Sequence, residues 1–367
     1  MRPRIRRAAR LLTAHVDAPL LGAVLLLMAL GLIVIFSGSN QGLTRVTTQA
    51  ISMLVALGVM YAFANIPPHY LMRVAVPLYV LGVLLLVGVA LFGDVVHGAR
   101  RWLPVGVTRI QPSELMKIAV PLMLAWYFDR YEATLRTKNY FIAAVLTVVP
   151  VALIARQPDL GTALLVFAAG CYVLFLAGLS WRIIAGLAVA VLAAIPFGWP
   201  LLHDYQRQRI LTLFDPMQDP LGSGYHIIQS KIAVGSGGIF GKGWLQGTQT
   251  RLDFIPERTT DFIFAVYSEE FGLLGNLVLL LLFLLVIARG AMITASAPTQ
   301  FTRLFGGAIT LTFFTYAIVN MGMVSGILPV VGVPLPLISY GGTSLVTICL
   351  GLGILMSIRT HKKLVQS

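Results

Sequence analysis

Charged side chains are scarce in this chain of 367 residues, where Asp, Glu, Lys and Arg together make up only 11%. Soluble globular domains carry about 25% of these residues. Hydrophobic residues make up 57% of the chain, and many of them lie in runs long enough to cross a bilayer. The scarcity of charge therefore excludes a soluble globular protein and predicts an integral membrane protein.

Cysteine is also scarce, since the chain has only two, and both Cys171 and Cys349 lie within apolar runs. Two such residues form no disulfide framework, and we expect both to be buried thiols. None of the six histidines stands at ligand spacing from another histidine or a cysteine. The sequence therefore contains no metal motif.

Acidic residues are fewer than basic ones, 14 against 27, which leaves a net charge of +13. A nucleic-acid-binding protein gathers its basic residues on one polar face. Here they are scattered through short loops between apolar runs, so we expect no nucleic-acid partner. Anionic lipid and phosphate are better suited to this distribution.

The apolar runs predict an all-α, polytopic membrane protein, because a helix that crosses a bilayer needs about 20 mainly apolar residues. We expect about ten transmembrane helices, a single membrane domain over residues 1–367, and one long extracytoplasmic loop, 203–260. The predicted spans are 18–38, 46–65, 71–93, 113–129, 139–156, 159–179, 182–202, 261–288, 303–326 and 337–358.

The basic residues predict the orientation of these spans, because Lys and Arg favour the cytoplasmic side in short loops. Arginines near the N-terminus indicate a retained cytoplasmic leader rather than a cleaved signal peptide, and the basic C-terminus lies on the same side. The outer loops 94–112 and 203–260 are nevertheless rich in basic residues. Either long loops cross the membrane regardless of charge, or this face binds a polyanion.

The long loop contains the glycine-rich segment GSGYHIIQSKIAVGSGGIFGKGW. It fails the Walker A pattern twice, since Ser236 replaces the first glycine and Gly243 follows Lys242 where Ser or Thr is needed. We therefore expect no nucleotide site. Two alternatives remain for the glycines: backbone N–H groups that approach a phosphate, or close packing of the loop against helices.

The segment RLDFIPERTTDFIFAVYSEEFG, residues 251–272, places carboxylates at the start of an apolar run. Asp261 is either an N-terminal helix carboxylate, stabilised by the helix dipole, or a base at the membrane boundary. Glu269 and Glu270 would lie about 12 Å deeper in a continuous helix. Ionisable groups at that depth need partners or water and usually have a function.

Other polar residues interrupt the apolar runs. Glu114 and Lys117 in QPSELMK are three residues apart on one helix face, as in an internal ion pair. Asp159 follows Pro158 in RQPDLGT and could pair with Lys117 to hold a cavity open. In GARRWLPVG, membrane anchoring explains the Trp but not the paired arginines beside it.

These residues limit the chemistry, because the sequence has no Cys–His pair and no Ser–His–Asp set. Carboxylates together with arginines and lysines suit the displacement of a phosphate leaving group. A sugar diphosphate needs no general acid, since the departing group is already a weak base. One carboxylate that deprotonates the acceptor hydroxyl, with cations that hold the diphosphate, is sufficient.

Six blocks, in this order along the chain, resemble the signature blocks of the shape, elongation, division and sporulation (SEDS) family. They cover nearly the whole sequence, and the words DFIPER and the short tails are more similar to the elongation branch than to the division branch. One difference is Thr259, where many members have His. The blocks are GARRWLPVG, QPSELMK, QPDLGT, KIAVGSGGIFGKG, LDFIPERTTDFIFAVYSEEFG and GVPLPLISYGG.

The resemblance implies a ten-span fold in the bacterial cytoplasmic membrane and peptidoglycan glycosyltransferase activity on lipid II. It also implies a class B penicillin-binding protein and other elongation-machinery proteins as partners. Asp261 is similar to the essential aspartate of the family and is the expected general base. The expected substrate-binding residues are Arg101, Trp102, Glu114, Lys117, Asp159, Lys242, Glu257 and Arg258.

We expect Lys117, Arg101, Lys242 and Arg258 to hold the diphosphate, with no resident metal, although Mg²⁺ or Mn²⁺ could accompany that group. Three alternatives remain for the function. The chain could be a flippase for the same lipid, since a transporter also needs intramembrane charges. It could belong to the division branch with the same chemistry, or act only as a scaffold for the penicillin-binding protein.

Overall fold

The computed structural model describes residues 15–96, 99–105, 108–198, 200, 204–218, 223–255 and 257–361. Its architecture is helical. The helices are α1 Ala18–Gly38, α2 Leu43–Ala64, α3 Pro68–Phe92, α4 Pro112–Arg130, α5 Thr137–Ala155, α6 Leu160–Leu176, α7 Trp181–Gly198, α8 Asp204–Phe214, α9 Ser223–Ser236, α10 Thr248–Arg251, α11 Ile263–Ala295, α12 Gln300–Val324 and α13 Thr343–Thr360.

Each of the predicted spans overlaps a helix, namely α1 to α7 and α11 to α13. The last span was predicted to begin at 337, but α13 begins at Thr343, and residues 199, 201 and 202 of the seventh predicted span lie outside the described residues. Within the described residues, seven helices are long and apolar enough to cross a membrane: α1, α2, α3, α5, α11, α12 and α13. The apolar helix α6 has only 17 residues, and α4 carries Glu114 and Lys117 within its first turns. The prediction of an all-α polytopic membrane protein is confirmed.

The loop 94–112 contains a small antiparallel sheet that the sequence did not predict. Its strands are β1 Asp94–Val96, β2 Ala99–Val105 and β3 Thr108–Ile110, in the order β1-β2-β3. Asp94 pairs with Trp102, and Leu103 pairs with Ile110. The sheet contacts α3 and α4, so it forms part of the surface at one end of the bundle.

The bundle is held by helices that pack along one another over long distances. α2 packs along α13, α11 contacts both α12 and α1, and α4 is enclosed by α3, α6 and α12. Gly353 of α13 lies so close to α2 that an added Cβ would be 2.3 Å from the carbonyl oxygen of Met60. The outward faces of α2, α3 and α11 expose leucines and valines, as expected for surfaces that contact lipid.

Helix α11 is broken at Gly272, which has φ 63° and ψ −159°. The segment 237–243 fills the break with four backbone hydrogen bonds. Lys242 N and Gly243 N donate to the carbonyls of Glu269 and Glu270 at 3.0 Å each, while Leu273 N and Leu274 N donate to Gly238 O and Ile239 O at 2.9 and 3.1 Å. Backbone groups freed by a break must find partners in this way at membrane depth.

This break corrects the expectation of one continuous span over 261–288. Only glycine fits the contact, because a Cβ at Gly272 would lie 2.3 Å from Gly241 N, and one at Gly241 would lie 2.1 Å from Glu270 O. Of the two alternatives for the glycine-rich segment, close packing against a helix is therefore the one observed. Residues 273–295 still suffice to cross the bilayer at about 1.5 Å per residue.

Candidate functional site

Asp261 lies immediately before α11, in a turn at one end of the bundle. It lines a cavity of about 300 Å³ together with Glu257 and His226, so three titratable side chains share this space. The remaining lining residues are Thr212, Ile227, Phe262 and Val330. The cavity joins the long loop, the start of α11 and the proline-rich segment that follows α12. A carboxylate, a second carboxylate and an imidazole are the groups that general acid–base chemistry needs.

The main chain of the Asp261 turn is fixed by remote residues. Tyr340 N donates to the carbonyl of Thr259 at 2.8 Å, and Ser339 Oγ donates to the carbonyl of Thr260 at 2.7 Å. Asn320 Nδ2 donates to the carbonyl of Asp261 at 2.8 Å. Three successive carbonyls are therefore satisfied from the α12–α13 segment, which gives the carboxylate a defined position relative to the cavity.

Asn320 is fully buried in α12 and also donates to the carbonyl of Val333 at 2.7 Å. It thereby joins the Asp261 turn to the proline-rich segment, whose Val330 lines the cavity. This proline-rich segment, which contains Pro329, Pro334 and Pro336, therefore forms part of the cavity wall. Sequence reasoning missed Asn320, although a single amide within an apolar run was a usable signal.

The proline-rich segment is itself fixed by Gln49, a buried residue of α2. Its Nε2 donates to the carbonyl of Ser339 at 3.2 Å, and its Oε1 accepts from Gly341 N at 3.1 Å. A buried amide that is hydrogen-bonded through both of its atoms holds this segment in one conformation. Sequence reasoning also missed Gln49 and Ser339.

His226, on α9, was missed because it has no ligand-spaced partner in the sequence. Its ring stacks on Phe262 with centroids 5.6 Å apart, and its Nδ1 is buried without a hydrogen-bond partner among the described residues. Burial lowers the pKa of His226 below its usual value, and the opposing charge of Glu257 only partly offsets this. The imidazole is therefore neutral near pH 7 and can accept a hydrogen bond from a ligand.

Glu257 holds the turn that leads to Asp261, with φ 46°. Its carbonyl accepts from Thr260 N at 3.1 Å and Phe262 N at 3.2 Å, while its Oε2 accepts from Thr260 Oγ1 at 2.9 Å. Left-handed backbone at a residue other than glycine is uncommon and often occurs at functional sites. Glu257 thus shapes the turn and also contributes a carboxylate to the cavity.

Arg258 points away from Glu257 and binds the segment that precedes it. Its Nη1 donates to the carbonyl of Thr250 at 2.6 Å and forms an ion pair with Asp253. The pKa of the Arg258 guanidinium is lowered mainly by burial and secondly by the nearby charge of Arg45. Arg45 in turn donates to Thr259 Oγ1 at 3.3 Å. Two guanidinium groups therefore lie close to the Asp261 turn.

Lys242 and Glu269, two residues from the sequence analysis, form a pair 2.8 Å apart outside the Asp261 cavity. The Glu269 carboxylate is fully buried. It also accepts bonds from Thr248 Oγ1, from the backbone N of Gln249, and from both the backbone N and Oγ1 of Thr250. A buried carboxylate with so many donors is stabilised in place. This arrangement anchors the segment 242–250 to α11.

Glu270, the neighbouring carboxylate, is also buried and faces α1, where Ser37 Oγ donates to its Oε1. The two adjacent glutamates therefore have different partners on different faces of α11, since successive helical residues are about 100° apart. Each carboxylate therefore has at least one polar partner, as expected of ionisable groups at that depth.

Glu114 and Lys117 form the expected internal pair, with Lys117 Nζ 2.6 Å from Glu114 Oε1. The ammonium also lies 5.2 Å from the centre of the Tyr316 ring on α12. Lys117 is buried and lines a small cavity of about 30 Å³ inside the bundle. That cavity shares no lining residue with the one at Asp261.

The expected pair between Lys117 and Asp159 is not formed, since within the described residues Lys117 pairs with Glu114 instead. Asp159 caps α6 by accepting from Thr162 N at 3.3 Å, and it accepts from Gln111 Nε2 at 2.9 Å. The physical reason is proximity: Glu114 is one helical turn from Lys117, while Asp159 is engaged by its own helix.

Arg101 of β2 crosses to the turn before α6. Its Nε donates to the carbonyl of Gln157 at 3.4 Å, and its Nη2 donates to the carbonyl of Pro158. It therefore satisfies carbonyls where the proline ends the preceding helix. Trp102 follows it on the same strand and is partly buried. Arg101 thus holds the turn that carries Asp159.

The structure thus distributes the predicted residues among several places. Glu257 and Asp261 line one cavity, and Arg258 lies beside that turn. Lys242, the Glu114–Lys117 pair and the Arg101–Asp159 region lie in separate contacts. Among the described residues, no group of three or more His, Cys, Asp or Glu is arranged to hold a metal ion.

Two relatives are similar to this chain over most of its length. The chain is 52% identical to a peptidoglycan glycosyltransferase, MrdB, of Escherichia coli strain K12, over 96% of this chain and 95% of that one. It is 32% identical to a peptidoglycan glycosyltransferase, RodA, of Treponema pallidum, over 76% of this chain and 81% of that one.

Solved structures agree with the fold. A chain of a peptidoglycan synthase complex, described as coordinating polymerization and crosslinking, superposes with a TM-score of 0.81 at 33% identity, covering 94% of this chain and 97% of its own. The rod shape determining protein RodA of Thermus thermophilus superposes with a TM-score of 0.71 at 29% identity, covering 95% and 98%. A family model for cell cycle proteins of the FtsW, RodA and SpoVE type matches residues 17–364. The chain therefore belongs to the FtsW/RodA/SpoVE family, which the sequence blocks had indicated.

Proposed function

We propose that this protein is a peptidoglycan glycosyltransferase that polymerises lipid II at the outer face of the bacterial cytoplasmic membrane during cell elongation. One observation carries the proposal: Asp261 lines a cavity of about 300 Å³ together with Glu257 and His226, and its carbonyl is fixed by buried Asn320. The relatives named peptidoglycan glycosyltransferase support the reaction class. The higher identity to MrdB than to FtsW proteins, at 52% against 35% and 34%, supports the elongation role.

In the proposed reaction, the Asp261 carboxylate takes the proton from a sugar hydroxyl of the acceptor, an incoming lipid-linked disaccharide. The resulting oxygen attacks the anomeric carbon of the growing glycan from the face opposite its diphosphate. A new C–O bond forms as the bond to the diphosphate breaks, so the anomeric configuration inverts. The electron pair of the broken bond leaves with polyprenyl diphosphate, which needs no proton from the enzyme.

The diphosphate must be held by cations as charge develops on it. Among the four cations expected to do this, Arg258 lies closest in the chain to Asp261, and its ion pair with Asp253 is at the surface. The pKa of Arg258 is lowered first by burial and then by the nearby positive charge of Arg45, so the two guanidinium groups repel one another. A bound diphosphate relieves that repulsion. We therefore place the leaving group beside Arg258, and assign Lys242 and Arg101 to holding the surrounding segments.

A divalent ion would arrive with the diphosphate in this scheme. The described residues include no ready-made cluster of three ligands, and Glu257 and Asp261 supply at most two carboxylates to the cavity. Mg²⁺ keeps several waters and commonly binds through one or two carboxylates plus substrate phosphates. Mg²⁺ or Mn²⁺ bound in that manner is compatible with the side chains present.

The alternative of a flippase would need a path for a sugar headgroup through the bundle. The buried Glu114–Lys117 pair is the feature that favours it. The cavity at Lys117 has a volume of about 30 Å³, which suits about one water molecule rather than a disaccharide. The enzyme proposal accounts better for the larger cavity at Asp261.

Both described chain ends lie together at the other end of the bundle, which suits the proposed topology. His15 and His361 stack with ring centroids 4.2 Å apart. His15 precedes α1 and His361 follows α13, and the far ends of these two helices approach the Asp261 turn. We propose that this side is cytoplasmic. A class B penicillin-binding protein and other elongation proteins are the proposed partners, supported by the likeness to a synthase complex that coordinates polymerization and crosslinking.

The test is a polymerisation assay with purified protein and lipid II, in which glycan chains are separated by length. Asp261→Asn should insert and fold normally but polymerise at least a hundredfold more slowly, since a general base contributes about 10²–10⁴-fold. Asp129→Asn is the matched control. Asp129 lies near the C-terminal end of α4 and accepts a hydrogen bond from Phe301 N, which the side-chain oxygen of Asn can also accept. Wild-type polymer from Asp261→Asn would end its assignment as the base.

A reconstituted assay that also scores movement of lipid II between leaflets separates the enzyme from the flippase. Polymer without translocation supports the enzyme, and translocation without polymer supports the alternative. Adding the single-span penicillin-binding protein should raise the polymerisation rate. An unchanged rate in a stable complex would contradict activation by the partner.

A further inference from the structure

A second polar cavity, of about 250 Å³, lies at the turn between α1 and α2 and shares no lining residue with the Asp261 cavity. The proposed reaction does not use it. Its lining residues are Ser37, Asn40, Gln41, Leu245 and Arg251. We define this group as the Arg251 cleft. It joins the end of α1 to the segment that Glu269 anchors.

Arg251 gives the cleft its charge. The side chain is exposed, and among the described residues it has no ion pair or hydrogen bond, whereas the neighbouring carboxylate of Asp253 is paired with Arg258. The amide of Asn40 adds a polar donor. One of its hydrogens is directed at Asp253 Oδ1, at a long distance of 3.4 Å. Ser37 directs its hydroxyl hydrogen away, towards Glu270. A guanidinium with amides beside it suits an anion with several oxygens, such as a phosphate.

Directly below the cleft the surface becomes apolar. Trp244 precedes Leu245 and donates from Nε1 to the carbonyl of Ile33 at 3.3 Å, and its ring lies 5.9 Å from that of Phe36. Ile33 is four residues before Ser37 on α1, hence about 6 Å further from the turn. Tryptophan favours the level of lipid headgroups and the adjoining hydrocarbon. The Arg251 cleft therefore lies above a membrane-facing aromatic side chain.

Two further apolar side chains extend this surface. Ile239 and Phe240 are 59% and 79% exposed, although they lie in the segment that fills the break in α11. Ile239 O accepts from Leu274 N, and the neighbouring Leu273 and Leu274 are themselves exposed on the half of α11 that crosses the membrane. Exposed apolar residues that continue a lipid-facing surface are expected to contact acyl chains.

We propose that the Arg251 cleft binds the phosphate headgroup of an anionic glycerophospholipid of the surrounding bilayer, with its acyl chains against Trp244, Ile239 and Phe240. The charge of Arg251 selects an anionic head, and the apolar surface below selects an amphiphile rather than free phosphate. The site is distinct from the substrate cavity because Asp261 does not reach it. The bound lipid holds the segment 245–251 against the end of α1.

The first test measures lipid binding to the purified protein by native mass spectrometry, with phosphatidylglycerol, phosphatidylcholine and undecaprenyl diphosphate as three separate probes. Arg251→Gln should weaken the tightest phosphatidylglycerol binding about tenfold, since a charge-assisted hydrogen bond contributes at least that factor. Phosphatidylcholine should bind more weakly and be unaffected by the substitution. Arg303→Gln, which changes an exposed arginine on α12, is the matched control.

Equal phosphatidylglycerol binding by Arg251→Gln and the wild type would overturn the proposal. Binding that depends on Arg251 for undecaprenyl diphosphate, but not for phosphatidylglycerol, would overturn the choice of a glycerophospholipid. Inorganic phosphate added in excess should displace little lipid, and full displacement would overturn the role of the acyl chains.

A second measurement does not depend on an arginine variant. Phospholipids brominated on their acyl chains quench nearby tryptophan fluorescence, and the contribution of Trp244 is the difference between the wild type and Trp244→Phe. That contribution should be quenched at least about twice as strongly by brominated phosphatidylglycerol as by brominated phosphatidylcholine, because the anionic lipid occupies the site more fully. Equal quenching by the two lipids would contradict selection of an anionic head.

Discussion

A carboxylate lies at each end of α11, and the two are in opposite circumstances. Near its C-terminal end, Arg289 binds the buried carboxylate of Asp17 through two bonds of 2.9 and 2.7 Å. Arg359 pairs with the same carboxylate at 2.6 Å, and Asp17 also caps α1 by accepting from Leu20 N. Before its N-terminal end, Asp261 lines a cavity and is held by its main chain.

The difference separates a structural carboxylate from a chemical one. Burial alone would raise the pKa of Asp17, but the hydrogen bond from Arg289 and the charges of Arg289 and Arg359 bring it below the usual value. Both oxygens of the Asp17 carboxylate are engaged in contacts that hold the helices together. At Asp261 the surrounding residues fix the backbone and leave a space beside the carboxylate, which is the arrangement that a reacting group requires.

The break at Gly272 lies between these two regions, and removing it should have the largest effect. Gly272→Ala places a Cβ 2.3 Å from Gly241 N at φ 63°, so we expect a loss of more than about 3 kcal/mol of folding stability. Thermal unfolding in detergent measures it. Gly58→Ala is the control, since a Cβ there meets nothing within 4 Å. A variant as stable as the wild type would show that the tight contact can relax.

Asn320→Leu should impair catalysis at the Asp261 end of α11. It leaves the carbonyls of Asp261 and Val333 without their donor, and a displacement of about 1 Å at a reacting group can cost about a hundredfold in rate. We expect kcat to fall by that order while lipid II still binds. Thr315 lies on the same helix as Asn320, and Thr315→Val removes its bond to Tyr172 of α6. This control should leave kcat within about twofold. Unchanged kcat in Asn320→Leu would show that the turn is positioned by other contacts.

Asp17→Ala should affect stability and leave catalysis nearly unchanged. It removes the partner of two arginines, one of them mostly buried, which should cost about 2 kcal/mol after allowing for the solvent exposure of Arg359. The unfolding temperature measures the loss, and polymerisation at a permissive temperature measures catalysis. If activity fell as steeply as in Asp261→Asn, the division into a structural and a chemical end would be wrong.

The pH dependence of stability should show the smallest effect. Because burial lowers the pKa of His226 below its usual value, the unfolded chain binds more protons than the folded one between those two pKa values. Stability should therefore fall as the pH decreases from 7 through this window, by a slope of at most one proton. His226→Gln should remove that slope in unfolding temperatures measured from pH 7 to 5. An identical slope in the variant would assign it to other groups.

Several features of the site were predictable because they depend on local sequence. The turn before the eighth predicted span, with Asp261 at its end and Glu257 four residues earlier, lines one cavity. The Glu114–Lys117 pair forms as expected from its helical spacing. Such contacts follow from the period of a helix or from the order of residues in a turn.

Other features depend on segments that are distant in the chain. The hydrogen bonds from Ser339 and Asn320 to the Asp261 turn join residues more than fifty positions apart, and nothing in either segment alone indicates the other. The expected Lys117–Asp159 pair was wrong for a different reason: Glu114 lies one helical turn from Lys117, and Asp159 caps its own helix and accepts from Gln111. The break at Gly272 was not predictable because it depends on contacts with the segment 237–243, which is distant in the chain.

The sequence by itself determined the membrane class, the positions of the helices and the residues able to perform chemistry, because hydrophobic length and side-chain type are local properties. Only the tertiary structure decided which carboxylates are held in structural contacts and which two, Glu257 and Asp261, line a cavity. That outcome depends on backbone hydrogen bonds and close glycine contacts between remote segments, and a buried polar group must be satisfied wherever packing brings its partner.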